Sequence, residues 1–278
     1  MMETRRCIGT ERFVMNKQIT YWDGRATLGA TYKNEDFYTI TALPYYYERR
    51  KLIIQSLERI LCKASVPHKR ICDFGCGDGV YISRLSAKWT DLYFHGVDIS
   101  PEMIKKARSH NKSEYISFEI SENGIQKGCY DIVYSSAVFA HLKDDVVCSL
   151  MNNIYKHLYK RGMFILCEQC APYRYEGDTY IRRTSSEYKE ILNKAGFAVQ
   201  KEFVIDFWAH RIFFERKIQK LFLHWAVKKY HATKDIALIK LNQNKLYRFI
   251  SKCFTIASRP RIFAGGGRFG YVFIVAVK

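Results

Sequence analysis

A glycine turn that follows a short apolar run carries the clearest chemical signal in this sequence. Gly75, Gly77 and Gly79 stand at alternate positions, and Asp73 lies two residues before the first of them. Glycine lets the backbone adopt positive φ angles and approach a ligand closely, because no Cβ stands in the way. The spacing differs from the Gly-x-Gly-x-x-Gly fingerprint that binds a pyrophosphate. The carboxylate of Asp73 instead favours a cationic ligand, such as a sulfonium that also carries an α-amino group.

A second apolar run, residues 92–97, ends at Asp98. This acid lies 23 positions after Gly75, where a carboxylate can accept hydrogen bonds from the hydroxyls of a ribose. A strand, a glycine turn and a helix, followed by a strand that ends in an acid, form the arrangement that holds a nucleotide-like cofactor. The sequence therefore predicts such a cofactor, with a positive charge near the glycine turn.

Four motifs in this order resemble those of the class I S-adenosylmethionine-dependent methyltransferases. They are the glycine turn at residues 73–79, the ribose-binding strand end at 97–100, a fourth strand at 130–136 and a fifth at 162–166. The resemblance covers roughly residues 45–206. It implies an α/β fold, a Rossmann-like, doubly wound sheet of seven mostly parallel strands whose last strand is antiparallel. It also implies S-adenosyl-L-methionine as the cofactor.

The resemblance assigns a role to each residue around this cofactor. Asp73 receives the amino group, directly or through water, and Asp98 binds both ribose hydroxyls. Glu119, followed by Ile120, occupies the position of the acid that contacts adenine, although the family usually has Asp followed by Ala there. Ser135 closes the methionine end of the site. The expected cofactor-binding residues are therefore Asp73, Gly75, Gly77, Asp98, Ile99, Glu119, Ile120 and Ser135.

Two residues are candidates for the base that removes a proton from an oxygen or nitrogen acceptor. His141 lies just past the fourth strand, at the edge of the sheet where ligands bind in open α/β folds, and histidine suits proton transfer near neutral pH. Glu168 ends the fifth strand and is the second candidate. A histidine that only packs or orients is the alternative. Three tyrosines follow in the next loop and either line an acceptor pocket or face solvent: Tyr173, Tyr175 and Tyr180.

Composition and cysteine usage predict a cytoplasmic globular protein. The 278 residues are 48% hydrophobic, which supports a packed core, and no apolar stretch approaches the roughly 18 residues of a membrane-spanning helix. The N-terminus does not read as a secretory signal, and nine cysteines suit a reducing compartment. Cys167 and Cys170 form a Cys-x-x-Cys pair that no second pair accompanies, so no metal is expected.

Charge and aromatic content favour an anionic partner. The net charge is +18 and 15% of the residues are aromatic, which suits an anionic acceptor, nucleic acid or an anionic membrane surface. We expect three parts of the chain. Residues 1–44 form an N-terminal arm or lid, residues 45–206 and 268–278 form the cofactor-binding domain, and residues 207–267 form a basic helical insert.

The spacing of apolar and basic residues in the insert predicts an amphipathic helix with a basic face. Phe214, Ile218, Leu221 and Trp225 recur at helical spacing, and several Lys and Arg residues fall on another face. Such a helix either covers the site as a lid whose apolar face packs on the core, or also contacts an anionic membrane, or contacts nucleic acid. Membrane contact would place the protein at the inner face of the membrane. A second helix is expected over about residues 236–257.

The acceptor is the least determined part of the prediction. The Asn-Pro-Pro-Tyr-like signature of enzymes that methylate amino groups or bases is absent after the fourth strand, where residues 135–138 read Ser-Ser-Ala-Val. This favours O-methylation of a small-molecule or saccharide acceptor, such as a sugar nucleotide or a cell-surface glycan precursor in polysaccharide biosynthesis. An RNA methyltransferase and a non-catalytic S-adenosylmethionine-binding protein are the alternatives.

Overall fold

The computed structural model describes most of the predicted domain and parts of the two flanking segments. The described residues are 18–24, 26–27, 44–177, 180–206, 220–231, 244–247, 249–250, 253, 261–264 and 270–278. The helices are α1 (Pro44–Leu61), α2 (Val80–Ser86), α3 (Pro101–His110), α4 (Asp144–Lys156), α5 (Ser185–Lys194) and α6 (Lys220–Tyr230). Residues 18–24 are also helical.

The strands alternate with these helices through most of the domain. They are β1 (Arg70–Phe74), β2 (Tyr93–Asp98), β3 (Ile116–Ile120), β4 (Tyr130–Ser136), β5 (Leu158–Cys170), β6 (Tyr175–Glu176), β7 (Ile181–Arg182), β8 (Ala198–Asp206), β9 (Arg261–Ala264) and β10 (Gly270–Val277). Within the described residues, eight of them form one sheet in the order β3-β2-β1-β4-β5-β10-β8-β9. The remaining two, β6 and β7, form a small hairpin.

The sheet has the predicted Rossmann-like topology. β1 pairs in parallel with β2 and β4, β2 with β3, and β4 with β5, while β10 runs antiparallel between β5 and β8. The prediction of seven strands with an antiparallel last strand is therefore confirmed. β9, which comes from the segment predicted to be a helical insert, adds a short strand beside residues 203–206 of β8. It pairs backbone groups of β8 that would otherwise lie at an open edge.

Side chains alternate between the two faces of the sheet and build a core on each. Ile71 belongs to the cluster that packs against α1 and α2, whereas its neighbour Cys72 belongs to the cluster that packs against α4 and α5. This alternation is the period of two that a strand imposes. Because both faces are covered by helices, the polar ends of the central parallel strands are left to form a site at one edge.

Helix α6 packs on the core with a different face from the predicted one. Ala226 is buried, and Phe222 packs against the same cluster as α1. Leu221 and Trp225, which belong to the apolar face read from the sequence, are 69% and 41% exposed. The reason is that α6 carries two apolar stripes, and only one of them can face the core. The other predicted members of that face, and most of the second predicted helix, lie outside the described residues.

No helix among the described residues is long and apolar enough to span a membrane.

Candidate functional site

An open cleft lies at the edge of the sheet where the parallel strands β1, β2 and β4 end. Including its mouth, it holds about 980 Å³ of empty space. Parallel strands place their carboxyl ends at a common edge, which explains why residues far apart in sequence meet here. The residues around the cleft that bear on its chemistry include Gln18, Trp22, Gly75, Gly77, Asp78, Asp98, Ile99, Ser121, Glu122, Ser136 and His141.

The glycine turn forms one wall of the cleft because two of its residues need to be glycine for different reasons. Gly75 has φ +74°, and a Cβ there would overlap Cγ2 of Val138. Gly77 has φ +53°, and a Cβ there would meet no protein atom within 4 Å. Gly75 therefore permits close packing of the turn against the β4 loop, whereas Gly77 presents bare backbone to the open space of the cleft.

Asp98 lies at the end of β2 with its carboxylate held by the backbone. Oδ2 accepts a hydrogen bond from the Gly77 amide at 2.8 Å, and Oδ1 accepts one from the Ser100 amide at 2.9 Å. Each carboxylate oxygen has a second acceptor site, so further hydrogen bonds from a ligand are possible. Burial raises the pKa of Asp98, and these amide contacts offset part of the increase. The two amides fix the orientation of this carboxylate on the cleft wall, and its role as the ribose-binding acid stays a prediction.

Asp73 is a fully buried carboxylate whose nearest polar neighbour is the Tyr134 hydroxyl. Among the described residues, neither of its oxygens has a hydrogen-bond partner within ordinary geometry. Burial raises the pKa of Asp73 well above its usual range, the nearby Tyr134 hydroxyl lowers it somewhat, and the charges of Asp98 and Asp78 raise it further. A desolvated carboxylate beside two other acids attracts a cation strongly. Asp73 lies beneath the glycine turn and does not itself line the cleft.

The structure does not bring the predicted adenine-contacting pair to the cleft. Oε2 of Glu119 lies 3.2 Å from Nε2 of His95, and Ile120 is 46% exposed. Instead Ser121 and Glu122, directly after β3, line the cleft. The strand continues to Ile120 before the chain turns towards the cleft, and the contact of Glu119 and Ile120 with adenine stays a prediction.

A similar shift of one residue applies at the end of β4. Ser135 is buried away from the cleft, and its hydroxyl has no hydrogen-bond partner among the described residues. Its neighbour Ser136 lines the cleft. Adjacent strand residues point to opposite faces, so only one of the two serines can contribute a side chain here.

His141 lies on the cleft wall in a short 3-10 turn, Phe139–His141, that follows β4. Its ring meets that of Trp22 edge-on at 5.2 Å between centroids. Its carbonyl oxygen accepts a hydrogen bond from Nε2 of Gln18 at 3.0 Å. The predicted base therefore faces the cleft, and the helical segment 18–24 packs over it.

The other predicted base, Glu168, lies in a different environment. Its side chain is fully buried and does not line the cleft. Oε1 accepts hydrogen bonds from the amides of Val138 and Phe139 at 2.7 and 2.8 Å. Burial raises the pKa of Glu168 to about 7, although these amides favour its charged form. Glu168 thus contacts the turn that carries His141, and a catalytic role for it stays a prediction.

The helical segment 18–24 is attached to the cleft at both ends. Gln18 binds the His141 carbonyl, as described above. At the other end, Asp23 accepts hydrogen bonds from the Ser100 hydroxyl and, at 3.3 Å, from the Glu102 amide. Ser100 and Glu102 lie at the start of α3, directly after the ribose-binding strand end. The segment therefore bridges the two sides of the cleft.

Several cleft residues escaped the sequence analysis for identifiable reasons. Gln18 and Trp22 lie in a stretch without a regular apolar period, so no pattern located them. Asp78 stands inside the glycine turn, so its position within that motif was a signal that could have located it at the cleft. The predicted tyrosine loop forms the β6–β7 hairpin, and its tyrosines are not among the residues that line the cleft.

No group of three or more His, Cys, Asp or Glu side chains that could hold a metal occurs in the described part of the chain. Both cysteines of the Cys-x-x-Cys pair are buried at the end of β5.

Comparison with known proteins gives a consistent picture. A family model described as a methyltransferase domain matches residues 45–202, more than half of the chain. A malonyl-[acyl-carrier protein] O-methyltransferase from Herminiimonas arsenicoxydans is 26% identical over 93 residues, and a carboxy-S-adenosyl-L-methionine synthase from Campylobacter jejuni is 25% identical over 162 residues. These alignments cover 34% and 56% of this chain and only 35% and 65% of the two relatives.

A solved structure shares the fold over most of the chain. It is the O-methyltransferase of a trans-AT polyketide synthase multienzyme from Brevibacillus brevis in complex with S-adenosyl-L-homocysteine, with a TM-score of 0.57 and 16% identity over 84% of this chain and 75% of that one. The glycine turn, the acid at the end of β2 and the strand order agree with this likeness. The chain therefore belongs to the methyltransferase-domain family of class I S-adenosylmethionine-dependent methyltransferases.

Proposed function

We propose that this protein is an active S-adenosylmethionine-dependent methyltransferase that methylates an oxygen of a small-molecule or saccharide acceptor. The observation that carries the proposal is the acidic cleft beside bare glycine backbone. Asp73 is desolvated beneath the glycine turn, and Asp78 and Asp98, which line the cleft, lie close to it. Such a site suits a ligand with both a ribose and positive charges, and it disfavours a phosphate.

The residues present fit this cofactor. S-adenosylmethionine, when bound, supplies an electrophilic methyl group on a sulfonium. Asp98 would hold the ribose, since its two oxygens are oriented by Gly77 and Ser100. Asp73 would attract the amino group, and Ser121 and Glu122, instead of Glu119 and Ile120, would border the base. The main contribution of the protein is to bring donor and acceptor together in a productive geometry.

His141 is the better supported of the two candidate bases. Its ring lies on the cleft wall, where an acceptor hydroxyl can reach it, whereas the Glu168 carboxylate is sealed beneath the turn. A hydroxyl acceptor needs a base, and a carboxylate acceptor does not, because it is already ionised near neutral pH. The effect of removing His141 therefore distinguishes these two kinds of oxygen acceptor.

The proposed acceptor class rests on the net charge of the chain. A net charge of +18 favours an anionic acceptor such as a sugar nucleotide or a glycan precursor. The name of the Herminiimonas relative agrees with transfer to oxygen. RNA is the second candidate acceptor, since the same charge would bind phosphates. A protein that binds the cofactor without turnover is the third alternative.

A membrane contact fits the exposed stripe of α6. Leu221 and Trp225 face solvent, and Nζ of Lys229 lies 4.5 Å from the centre of the Trp225 ring. Apolar side chains flanked by lysines suit the surface of an anionic bilayer. We therefore include peripheral binding to an anionic membrane in the proposal, with the acceptor cleft working at that surface.

The first experiment is calorimetry with S-adenosylmethionine and S-adenosylhomocysteine on the wild type and on Gly77→Arg. Binding that the arginine abolishes would support the cofactor site. Transfer of labelled methyl groups to sugar nucleotides, small carboxylates and RNA would then identify the acceptor, and comparison with His141→Ala would separate a hydroxyl from a carboxylate. Binding without any transfer would favour the non-catalytic alternative, and absence of binding in the wild type would refute the proposal.

A further inference from the structure

The turn that carries His141 is held from one side by a buried arginine. Arg183, directly after β7, is fully buried. Its Nη1 donates to the carbonyl oxygen of Phe139 at 2.8 Å, and Nη2 donates to that of Leu142 at 2.7 Å. Nε donates to Oδ1 of Asp144 at 2.8 Å, at the start of α4. One guanidinium thus binds the backbone on both sides of His141.

The same turn is held from the other side by a buried glutamate. Oε1 of Glu168 accepts from the amides of Val138 and Phe139, as described above. Phe139 is therefore bound at its amide by Glu168 and at its carbonyl by Arg183. Burying a charged side chain is costly unless hydrogen bonds offset the lost hydration. All three guanidinium nitrogens of Arg183 donate, whereas Glu168 uses only Oε1, and its Oε2 has no partner among the described residues. Apart from those to Asp144, these bonds go to the backbone of a five-residue turn that ends at the cleft.

We infer that Arg183 and Glu168 are positioning residues for methyl transfer, which together fix the backbone of residues 138–142 so that His141 faces the acceptor. This inference rests on the proposed function, because it assumes that His141 acts on the acceptor. Neither residue lines the cleft, so neither contacts the substrate directly. Their effect passes through the turn.

The chemistry of the two side chains explains why lysine at position 183 or glutamine at position 168 would hold the turn of residues 138–142 less firmly. A guanidinium is a planar fork whose donors can bind three acceptors at once, whereas a lysine is a single point of charge. Arg183→Lys therefore keeps the positive charge but cannot donate hydrogen bonds to the carbonyl oxygens of Phe139 and Leu142 at the same time. Glu168→Gln keeps an acceptor oxygen at the same place and removes the negative charge that strengthens both hydrogen bonds.

Arg174 provides a matched control. It also binds Asp144, with Nη2 to Oδ2 at 3.0 Å, and it binds Glu187 at 2.8 Å. Unlike Arg183 it is partly exposed, and its hydrogen bonds among the described residues go to the carboxylates of Asp144, Glu176 and Glu187. Arg174→Gln perturbs the same ionic cluster and leaves the turn untouched.

The experiment compares Arg183→Lys, Glu168→Gln and Arg174→Gln with the wild type. Three quantities are measured: the ¹⁵N resonances of the His141 imidazole, the affinity for S-adenosylhomocysteine, and kcat and KM for the acceptor. We expect the first two variants to shift or broaden the His141 signals. We also expect them to lower kcat on the order of tenfold to a hundredfold, because small displacements of a reacting group cost that much. The affinity for S-adenosylhomocysteine should stay close to the wild-type value in all three variants. In Arg174→Gln, the His141 resonances, kcat and KM should also stay close to the wild-type values.

Unchanged His141 resonances and kcat in a folded Arg183→Lys or Glu168→Gln protein would overturn the inference. Using both variants keeps the test decisive if one of them fails to fold. The resonances are read without cofactor or acceptor, so this result is independent of whether the protein binds S-adenosylmethionine. Equal losses in Arg174→Gln would also overturn it, because they would trace the effect to the ionic cluster and not to the turn.

Discussion

The carboxylate of Asp98 both joins two elements of the fold and lines the cleft. One side of each oxygen is occupied by a backbone amide, and the remaining lone pairs are available in the cleft. The amides come from the glycine turn and from the start of α3, so the acid also ties these two elements together. Its removal should therefore affect the ligand first and the local backbone second.

We predict that Asp98→Ala weakens S-adenosylhomocysteine binding by about 2 kcal/mol, roughly thirtyfold, because hydrogen bonds to a charged group are lost. Calorimetry measures the loss. Asp91→Ala, which removes an exposed acid paired with Lys69, is the control and should bind normally. An Asp98→Ala protein that is folded and binds as well as the wild type would remove Asp98 from the ribose site.

The pH dependence of cofactor binding should report on the buried acids. Burial raises the pKa of Asp73 and of Asp98 above the ordinary value of 3.8. A cationic ligand binds their ionised forms and lowers these pKa values, so the complex holds fewer protons than the free protein. Affinity for S-adenosylhomocysteine should therefore fall as the pH drops from about 8 towards about 5.

Asp73→Asn tests the origin of that dependence. The amide cannot ionise, so the variant should bind more weakly at neutral pH and show a flatter pH profile than the wild type. Binding titrations at several pH values, with folding followed by circular dichroism, provide the measurement. A wild-type affinity that stays constant over the range would show that these carboxylates do not meet the cationic part of the ligand.

At the scale of elements, the sequence predicts the starts of helices reliably, because a helix cap involves only residues within one turn of each other. The sequence Ser-Pro-Glu at residues 100–102 is typical of a helix start, and the Ser100 hydroxyl accepts a hydrogen bond from the Met103 amide at 3.1 Å. The sequence Thr-Ser-Ser-Glu at residues 184–187 is typical of a capping box, and both halves of that box are present. Caps involve residues close in sequence, so the pattern contains the interaction itself.

Signals that depend on distant partners were less reliable. The apolar period of α4 continues to Leu158, yet the helix ends at Lys156, because Leu158 is buried in β5 and pairs with Tyr130. Arg161, and not the neighbouring Gly162, adopts the left-handed conformation. At Leu158 tertiary pairing overrode the helical period, and no local pattern could show it.

The helical segment 18–24 should control how long the cofactor stays bound. Asp23→Ala removes the hydrogen bonds to the Ser100 hydroxyl and the Glu102 amide, while Ser100 still caps α3. We predict dissociation of S-adenosylhomocysteine faster by about fivefold, the equivalent of one lost cap of about 1 kcal/mol, with little change in thermal stability. Stopped-flow measurement of the off-rate, using Trp22 fluorescence, tests this. An unchanged off-rate would mean that the segment does not close the cleft.

Across the whole molecule, charge is separated between the cleft and the rest of the surface. The chain carries +18 overall, yet Asp73, Asp78, Asp98 and Glu122 gather in or beneath the cleft. The sequence predicted the glycine turn, Asp98 and His141 because they follow strand ends in fixed order. It could not predict the core-facing side of α6 or the position of Trp22, since these depend on which surfaces meet in the fold.

Binding to anionic vesicles should depend on the exposed stripe of α6. We predict that Leu221→Ser with Trp225→Ser reduces co-sedimentation with phosphatidylserine vesicles several-fold, because two interfacial apolar side chains are lost. Added salt should weaken wild-type binding as it screens the lysines. Tyr173→Ser, which removes an exposed aromatic residue just before the β6–β7 hairpin, is the control. Unchanged vesicle binding by the double variant would show that the exposed stripe of α6 does not mediate membrane binding.

The position of β10 between β5 and β8 also has a consequence for how the protein folds. Strand residues 158–170 and 198–206 are not paired with each other and meet only through residues 270–277. During synthesis, β5 therefore has an unpaired edge until the chain has been extended by about a hundred residues, and closing such long loops is slow. Until then, exposed strand edges make the nascent chain prone to aggregation. We expect chaperone dependence to be concentrated in that interval and to end when β10 inserts.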